Sequence, residues 1–365
     1  MSAIRTIESP VGAEIVVDGL RYVNFGGSSY LGLSAESAIL DAGAAALHVS
    51  GSGYQFARHY QMATPSHQRA ETEAARFFGT PTALYMAAGY YFGLIGLAAL
   101  RGQVSAIFYD ELAHHCVREP IPGTGLPHYA FRHQDAADLA AKLRQHLLAD
   151  QVPLIVTDGM FSTFGEIAPL ADYAQVMAPY GGRLLVDESH SFGVLGEQGR
   201  GAGELHNIAP GVMLSGGSTG KAFGVLGGII PASESEVAAM RLTPAARSAS
   251  AGLPAAAAMC AASFGLVRQQ PERLARLRSN TIYLKDGLRR LGLSVGGNDV
   301  PVATFTAGSG RSTLGLQQQL AAEGIYVLHS NYIGAGADGV IRCGIFADHS
   351  HEHMDRLHDT LRRLL

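Results

Sequence analysis

The stretch that decides the fold is residues 182–228, GRLLVDESHSFGVLGEQGRGAGELHNIAPGVMLSGGSTGKAFGVLGG. Leu184, Leu185 and Val186 form a short apolar run that reads as a buried strand, and it ends on Asp187. An acid at the carboxyl end of such a strand stands where open α/β sheets bind their ligands. His190 follows three residues later. Lys221 stands 34 residues on (221 − 187), inside Gly220-Lys221-Ala222-Phe223-Gly224. A lysine in a small glycine-lined turn loses its proton at low cost and can form a Schiff base. An acid facing a ring nitrogen and a lysine holding an aldehyde are what pyridoxal phosphate requires of a protein. A P-loop is the competing reading of the same glycines. The pattern G-x4-G-K-[ST] fails, because Ser215 stands at its first glycine and Ala222 at its hydroxyl.

Working outward, strands and helices alternate. Strands are read at 83–86, 104–109 (ending on Asp110), 128–131, 153–157, 183–186 and 226–230. Helices are read at 66–78 with Ser66 as cap, at 89–100, from Asp135 with Leu139, Leu143 and Leu147 on one stripe, at 170–178 and at 234–241. Such βαβα order predicts an α/β fold, a mostly parallel sheet with helices on both faces. Before it, 13–17 and 20–24 read as a β-ribbon, and Ser34 reads as the cap of a short helix through Val49. After it come a small-residue connector at 247–251, an alanine-rich helix at 254–267 and a helix at 271–291. Strands at 302–305, 326–328 and 340–343 follow, then a last helix capped by Ser350. The expected division is an N-terminal segment at 1–45, a large domain at 46–250 and a smaller α+β domain at 251–365.

Bulk properties exclude several classes. The 365 residues are enough for a large and a small domain, and no apolar run is long enough to span a membrane. A formal net charge of −4 provides no basic field for nucleic acid. No secretory leader is read at the start. Three widely spaced cysteines argue against a disulfide framework and point to a reducing cytosol.

Eight segments, in one order and covering nearly the whole chain, resemble the α-oxoamine synthases among fold-type I pyridoxal-phosphate enzymes. They are SSYLGL (28–33), HQRAETEAARFFG (67–79), AAGYYFG (87–93), DELAHH (110–115), DGMFSTFGEIAPL (158–170), VDESHSFGVLGEQGRG (186–201), STGKAFG (218–224) and IRCGIFADHSHEHMDRL (341–357). The resemblance implies that Lys221 is the Schiff-base lysine and Asp187 the partner of the pyridinium nitrogen. It implies that His190 bonds the cofactor's 3′-oxygen, with Ser162 beside it, and that His114 stacks on the pyridine ring; the register D-x-L-x-H selects His114 over His115. Gly89 and Tyr90, opening a helix, would hold the phosphate. Ser218 would donate to it, with Thr219 as the alternative one residue on, and Ser248 or Ser250 would reach it from a neighbouring subunit of a homodimer. Arg342 would grip an amino acid's carboxylate, and Ser29 would face the same substrate. His67 and Glu71 would orient a helix near the mouth.

The reaction so implied is condensation of an amino acid with an acyl thioester, followed by decarboxylation to an α-amino ketone; transamination is the alternative on the same scaffold. Lys221, Asp187, His190 and His114 together argue against a non-catalytic subunit. Three segments depart from the family pattern: Ser29 replaces an asparagine, Gly53-Tyr54-Gln55-Phe56-Ala57-Arg58 replaces a glycine-serine-arginine stretch, and the segment from His329 replaces a proline-rich one. These shape the substrate mouth, so an unusual amine or acyl donor in a specialised biosynthetic pathway is expected. The run His349-Ser-His-Glu-His353 invites a metal reading, but HExxH would need histidine where Asp355 stands. A polar helix start accounts for it.

Overall fold

Short apolar runs, each closed by a turn, build the sheet that carries the site. A computed structural model describes residues 4–296, 298–308 and 310–365. In chain order the first elements are β1 (Glu14–Val17), β2 (Leu20–Asn24), α1 (Ser37–Ser50), α2 (Pro65–Phe78), β3 (Thr82–Met86), α3 (Tyr91–Leu100), β4 (Ala106–Asp110), α4 (His115–Arg118) and β5 (His128–Phe131). The middle of the chain adds α5 (Ala136–His146), β6 (Pro153–Asp158), α6 (Leu170–Met177), β7 (Arg183–Asp187), α7 (Ala202–Leu205), β8 (Met213–Ser218), β9 (Gly228–Ala232), α8 (Glu234–Arg241) and α9 (Pro244–Ser248). The last part holds α10 (Pro254–Gln269), α11 (Glu272–Arg290), β10 (Val302–Phe305), α12 (Thr313–Ala322), β11 (Ile325–Tyr326), β12 (Leu328–Ser330), β13 (Val340–Gly344) and α13 (His351–Leu364).

Seven strands pair in the order β3-β9-β8-β7-β6-β4-β5. The pairs from β8 through β5 are parallel, and β9 runs antiparallel to both of its neighbours. The mostly parallel sheet expected from the alternation is therefore observed. Its central strands are buried on both faces, which is why LLV, LIV and AIF read as continuous apolar runs. A second sheet, β10-β13-β12, is antiparallel and packs with α11, α12 and α13 around Phe305, Leu320, Leu357 and Leu361. β2 pairs with β11, so the N-terminal ribbon is tied to the C-terminal part of the chain.

Two expected caps are corrected. Ser34 does not cap α1, because its hydroxyl donates to the Val11 carbonyl at 2.6 Å; the helix begins at Ser37 with no side-chain cap. Ser66 lies inside α2, whose cap is Thr64, with Pro65 in the first turn. Asp135, Ser233 and Ser350 do cap α5, α8 and α13. β8, α12 and the short helices α4, α7 and α9 were not foreseen.

Candidate active site

Four strand ends deliver the site. β4, β6 and β7 close on Asp110, Asp158 and Asp187, all buried, and β8 closes on Ser218. Parallel register sets Asp158 directly beside Asp187. Two carboxylates so placed, away from water, resist both being ionised. Burial and the facing Asp187 push Asp158 well above the ordinary carboxylate range. Asp187 meanwhile collects donors, the Ser189 N–H at 2.9 Å on Oδ1 and the Cys116 thiol at 3.0 Å on Oδ2. Asp158 accepts the His114 N–H at 2.9 Å, which fixes the loop carrying His114 over the strand ends. Asp110 is taken up by Leu112 N–H, Gln134 N–H and His133, each at 2.9 Å, and holds the neighbouring loops.

His114 caps α4, its Nδ1 accepting the Cys116 N–H at 3.2 Å. Nδ1 therefore carries no proton, and its 3.8 Å approach to Asp187 is not an ion pair. Burial, outweighing the pull of Asp187, holds this imidazole below the usual histidine range. His114 Nδ1, Cys116 Sγ and Asp187 Oδ2 lie within 4.8 Å of one another, a donor set that resembles a metal centre. The chemistry does not suit a cation. The Nδ1 lone pair is occupied, and burial beside Asp187 pushes the thiol far above its usual range, whereas metals bind thiolate.

Lys221 sits in the turn after β8. Phe223 anchors that turn, packed on Phe264 at 4.4 Å and Phe77 at 5.4 Å between ring centroids, with the Ser263 hydroxyl on its carbonyl at 2.7 Å. Burial lowers the Lys221 amine below the free-lysine range, although Asp187 pulls the other way. An amine so placed is readily a neutral nucleophile.

On the other side, His190 Nδ1 lies 2.8 Å from the Tyr30 hydroxyl, which also accepts from Arg342 Nη2 at 3.3 Å. Burial, Lys221 and Arg342 hold His190 well below its usual range. Arg342 further donates through Nε to the Ser162 carbonyl at 2.8 Å and through Nη1 to the Gly27 carbonyl at 3.0 Å. Ser29 is buried beside Tyr30 in sequence, and its hydroxyl has no partner among the described residues.

Gly89 precedes α3 and lies against the end of β8. A Cβ there would overlap the backbone of Ser218, so only glycine permits the approach. Tyr90 is half exposed; its hydroxyl donates to Glu119 at 2.6 Å, and its ring meets His114 edge-on at 6.1 Å. Ser218 Oγ accepts the Gly220 N–H at 3.0 Å. Thr219 is spoken for by the Val225 carbonyl at 2.8 Å, inside the core. Ser250 is bound to Tyr54 and Gly252, and Ser248 ends α9. His67 joins Thr64 to the Gly252 carbonyl, and Glu71 pairs with Arg58 and Arg241 while accepting Tyr85 N–H.

Three residues of the cluster were not foreseen. Asp158 obeys the same strand-end rule as Asp187 and could have been found by it. Nothing in the sequence marks Tyr30 as the link between His190 and Arg342, or Cys116 as a donor to Asp187.

The family model for aminotransferase class I and II matches residues 21–361. The chain is 33% identical to the 8-amino-7-oxononanoate synthase of Methylococcus capsulatus, over 98% of this chain and 92% of that one. It is 32% identical to the serine palmitoyltransferase of Caulobacter vibrioides, over 96% of this chain and 86% of that one. A solved structure of SPT with its PLP internal aldimine superposes with a TM-score of 0.91 at 25% identity, covering 99% of this chain and 92% of that one. A family model that spans most of the chain, with relatives above 30% identity over nearly its full length, shows the membership: the chain belongs to the aminotransferase class I and II family, among its α-oxoamine synthases.

Proposed function

We propose that the protein binds pyridoxal phosphate and condenses an amino acid with an acyl thioester, releasing carbon dioxide and a thiol and leaving an α-amino ketone. The observation that carries this is the meeting of Lys221, Asp187, His114 and His190 at the ends of β7 and β8. The residues present fit the cofactor: an amine of lowered proton affinity, a carboxylate at the end of β7, an imidazole whose Nδ1 is an acceptor, and a glycine-only approach between the start of α3 and Ser218. Among relatives, the PLP held as an internal aldimine in the SPT structure supports the same group.

When bound, pyridoxal phosphate supplies an aldehyde for amines and a ring that draws electrons from the substrate's Cα. Lys221 would hold that aldehyde and move the proton at Cα. Asp187 would face the ring nitrogen, His114 the ring plane and His190, with Ser162, the 3′-oxygen. Gly89, Tyr90 and Ser218 would take the phosphate. Arg342 has three of its five N–H groups engaged by the chain and two left for a substrate carboxylate, with the Ser29 hydroxyl close in sequence to its partner Tyr30. In the condensation, the Cα–C bond forms as the thioester C–S bond breaks, and the thiol leaves with a proton.

A homodimer in a reducing cytosol is part of this proposal. The three cysteines are free and buried, and among the described residues no helix is long and apolar enough to cross a membrane. The division at 46 and 251 is likewise proposed. The test is mass spectrometry of products from the purified protein given pyridoxal phosphate, amino acids and a panel of acyl thioesters. The expected product has the combined mass of amino acid and acyl thioester, less carbon dioxide and the free thiol. Conversion of the amino acid to its oxo acid without carbon–carbon bond formation would replace the proposal with transamination.

A further inference from the structure

One buried residue touches both the carboxylate and the imidazole of the site, the first through its side chain and the second through its backbone, and nothing above gives it a role. Cys116 is 2% exposed, in the first turn of α4. Its thiol donates to Asp187 Oδ2 at 3.0 Å, and its backbone N–H donates to His114 Nδ1 at 3.2 Å. We propose that Cys116 is a positioning residue, whose S–H bond orients the Asp187 carboxylate for the cofactor's ring nitrogen while its N–H sets the His114 tautomer. This deepens the proposed function and rests on it.

The geometry leaves Asp187 few other constraints. Oδ1 is held by the Ser189 N–H, so rotation about the last side-chain torsion is controlled by what holds Oδ2. Asp158, the adjacent group across the sheet, accepts the His114 N–H and makes no hydrogen bond to Asp187 among the described residues. Only the thiol donates to Oδ2 among the described residues. A thiol is a weak donor, so it orients the carboxylate without competing strongly with a ring N–H on the same oxygen. Burial beside Asp187 raises the thiol's proton affinity, so it remains a donor across the working pH range. The backbone bond adds a second consequence. With Nδ1 an acceptor, the proton of neutral His114 resides on Nε2, which points the donor edge of the ring away from Asp187.

The bond is tested first without cofactor. The infrared S–H stretch lies where water and amides absorb little, and the band lost in Cys116→Ala identifies this thiol among the three cysteines. That band is expected at lower frequency than a free thiol and is expected to move up in Asp187→Asn, whose neutral amide oxygen is a poorer acceptor. A Cys116 band at the free-thiol position, unmoved by Asp187→Asn, overturns the proposal. The second arm titrates pyridoxal phosphate into the same proteins. Cys116→Ala is expected to weaken binding about tenfold and to shift the pH titration of the bound cofactor's absorbance. Cys116→Ser, which restores a donor of similar size, is expected within about threefold of wild type. Equal weakening in both variants, or none in either, would mean packing alone and would overturn the role. A wild-type chain that binds no pyridoxal phosphate overturns the proposed function instead, and the infrared band still reports the bond.

Discussion

Two regions of the molecule each draw a lysine and a histidine wholly or partly out of water, and they treat them in opposite ways. In the C-terminal part, Lys285 is 1% exposed and its amine donates to the Asn298 carbonyl at 2.5 Å. His349 accepts the Phe346 N–H on Nδ1 at 2.9 Å, donates from Nε2 to the Asn24 carbonyl at 2.8 Å, and stacks on Phe25 and Phe346. Every polar atom of these two rings and chains is used by backbone. At the strand ends, Lys221 has no hydrogen-bond partner among the described residues, and His190 spends only Nδ1, on Tyr30. Burial is expensive for both pairs. In the first it is offset inside the fold, and in the second an offset is left open. Unspent polar capacity in a buried setting, more than residue type, separates a site from architecture.

The sharpest way to break this comparison is to exchange the lysines' fates. Lys221→Ala is expected to abolish turnover, by roughly 10⁴-fold or more, and to remove the cofactor's lysine-linked absorbance while leaving the thermal midpoint unchanged or raised. Lys285→Ala is expected to lower stability by about 1–3 kcal/mol, since the Asn298 carbonyl and the buried stem lose their partner, with kcat within a factor of two. Product assays and denaturant midpoints on both variants decide the matter. Activity surviving Lys221→Ala would end the proposed function.

The histidines sharpen it next. His349→Ala is expected to cost about 3 kcal/mol, from lost ring packing and two orphaned backbone groups. His190→Ala should change stability by less than about 1 kcal/mol but reduce kcat/KM on the order of ten- to a hundredfold. If His190→Ala proved the more destabilising, the distinction between spent and unspent nitrogens would fail.

Proton linkage gives a third separation, with opposite signs at two sites. Burial lowers His349 to about 3, below its ordinary value of about 6.5. Its contribution is complete above pH 6.5 and is lost as pH falls through the window down to about 3. His133, bonded to Asp110 at 2.9 Å and Glu166 at 3.2 Å, is raised to about 9 in spite of burial. Its contribution is complete below pH 6.5 and is lost as pH rises through about 9. After allowance for solvent at the half-buried pair, roughly 1–2 kcal/mol is expected from His133. Denaturant midpoints of His133→Gln should therefore converge on wild type at pH 10, and those of His349→Gln should lose the steep acid slope. Parallel pH profiles for wild type and both variants would contradict these assignments.

The sequence revealed the parts of the fold and of the candidate site that obey local rules. Asp187 closes an apolar run, Ser350 and Asp135 precede periodic helices, and Lys221 stands among glycines, so each could be read without knowing its neighbours. What escaped was fixed by contacts distant in sequence. Ser34 looked like a cap because its competing acceptor, Val11 O, lies on another segment. Thr64-Pro65 was a readable helix start that Ser66 obscured. β8 was missed because MLSGGS carries two glycines and no β-branched residue, and pairing with β7 and β9 overrides that composition. The Tyr30–His190 and Cys116–Asp187 bonds span 160 and 71 residues, and no periodicity encodes them. The histidine run at 349–353 divides: His351 and His353 form the polar start of α13 that the sequence indicated, His353 completing its cap, whereas His349 is saturated by Phe346 and the distant Asn24.

The smallest expected effect probes a single oxygen. Ser29 Oγ is buried with no partner among the described residues, which costs stability in the substrate-free chain. Ser29→Ala should therefore be neutral or stabilising by up to about 1 kcal/mol, whereas an ordinary buried hydroxyl would be destabilising when removed. If the hydroxyl is kept for the amino acid, the same variant should raise KM for that substrate several-fold and leave kcat nearly unchanged, since the bond would form equally in ground and transition states. The two readouts must part, stability kept or raised while affinity falls. A variant that loses stability while its KM stays fixed would place Ser29 with His349 and Lys285, among the groups the fold consumes for itself.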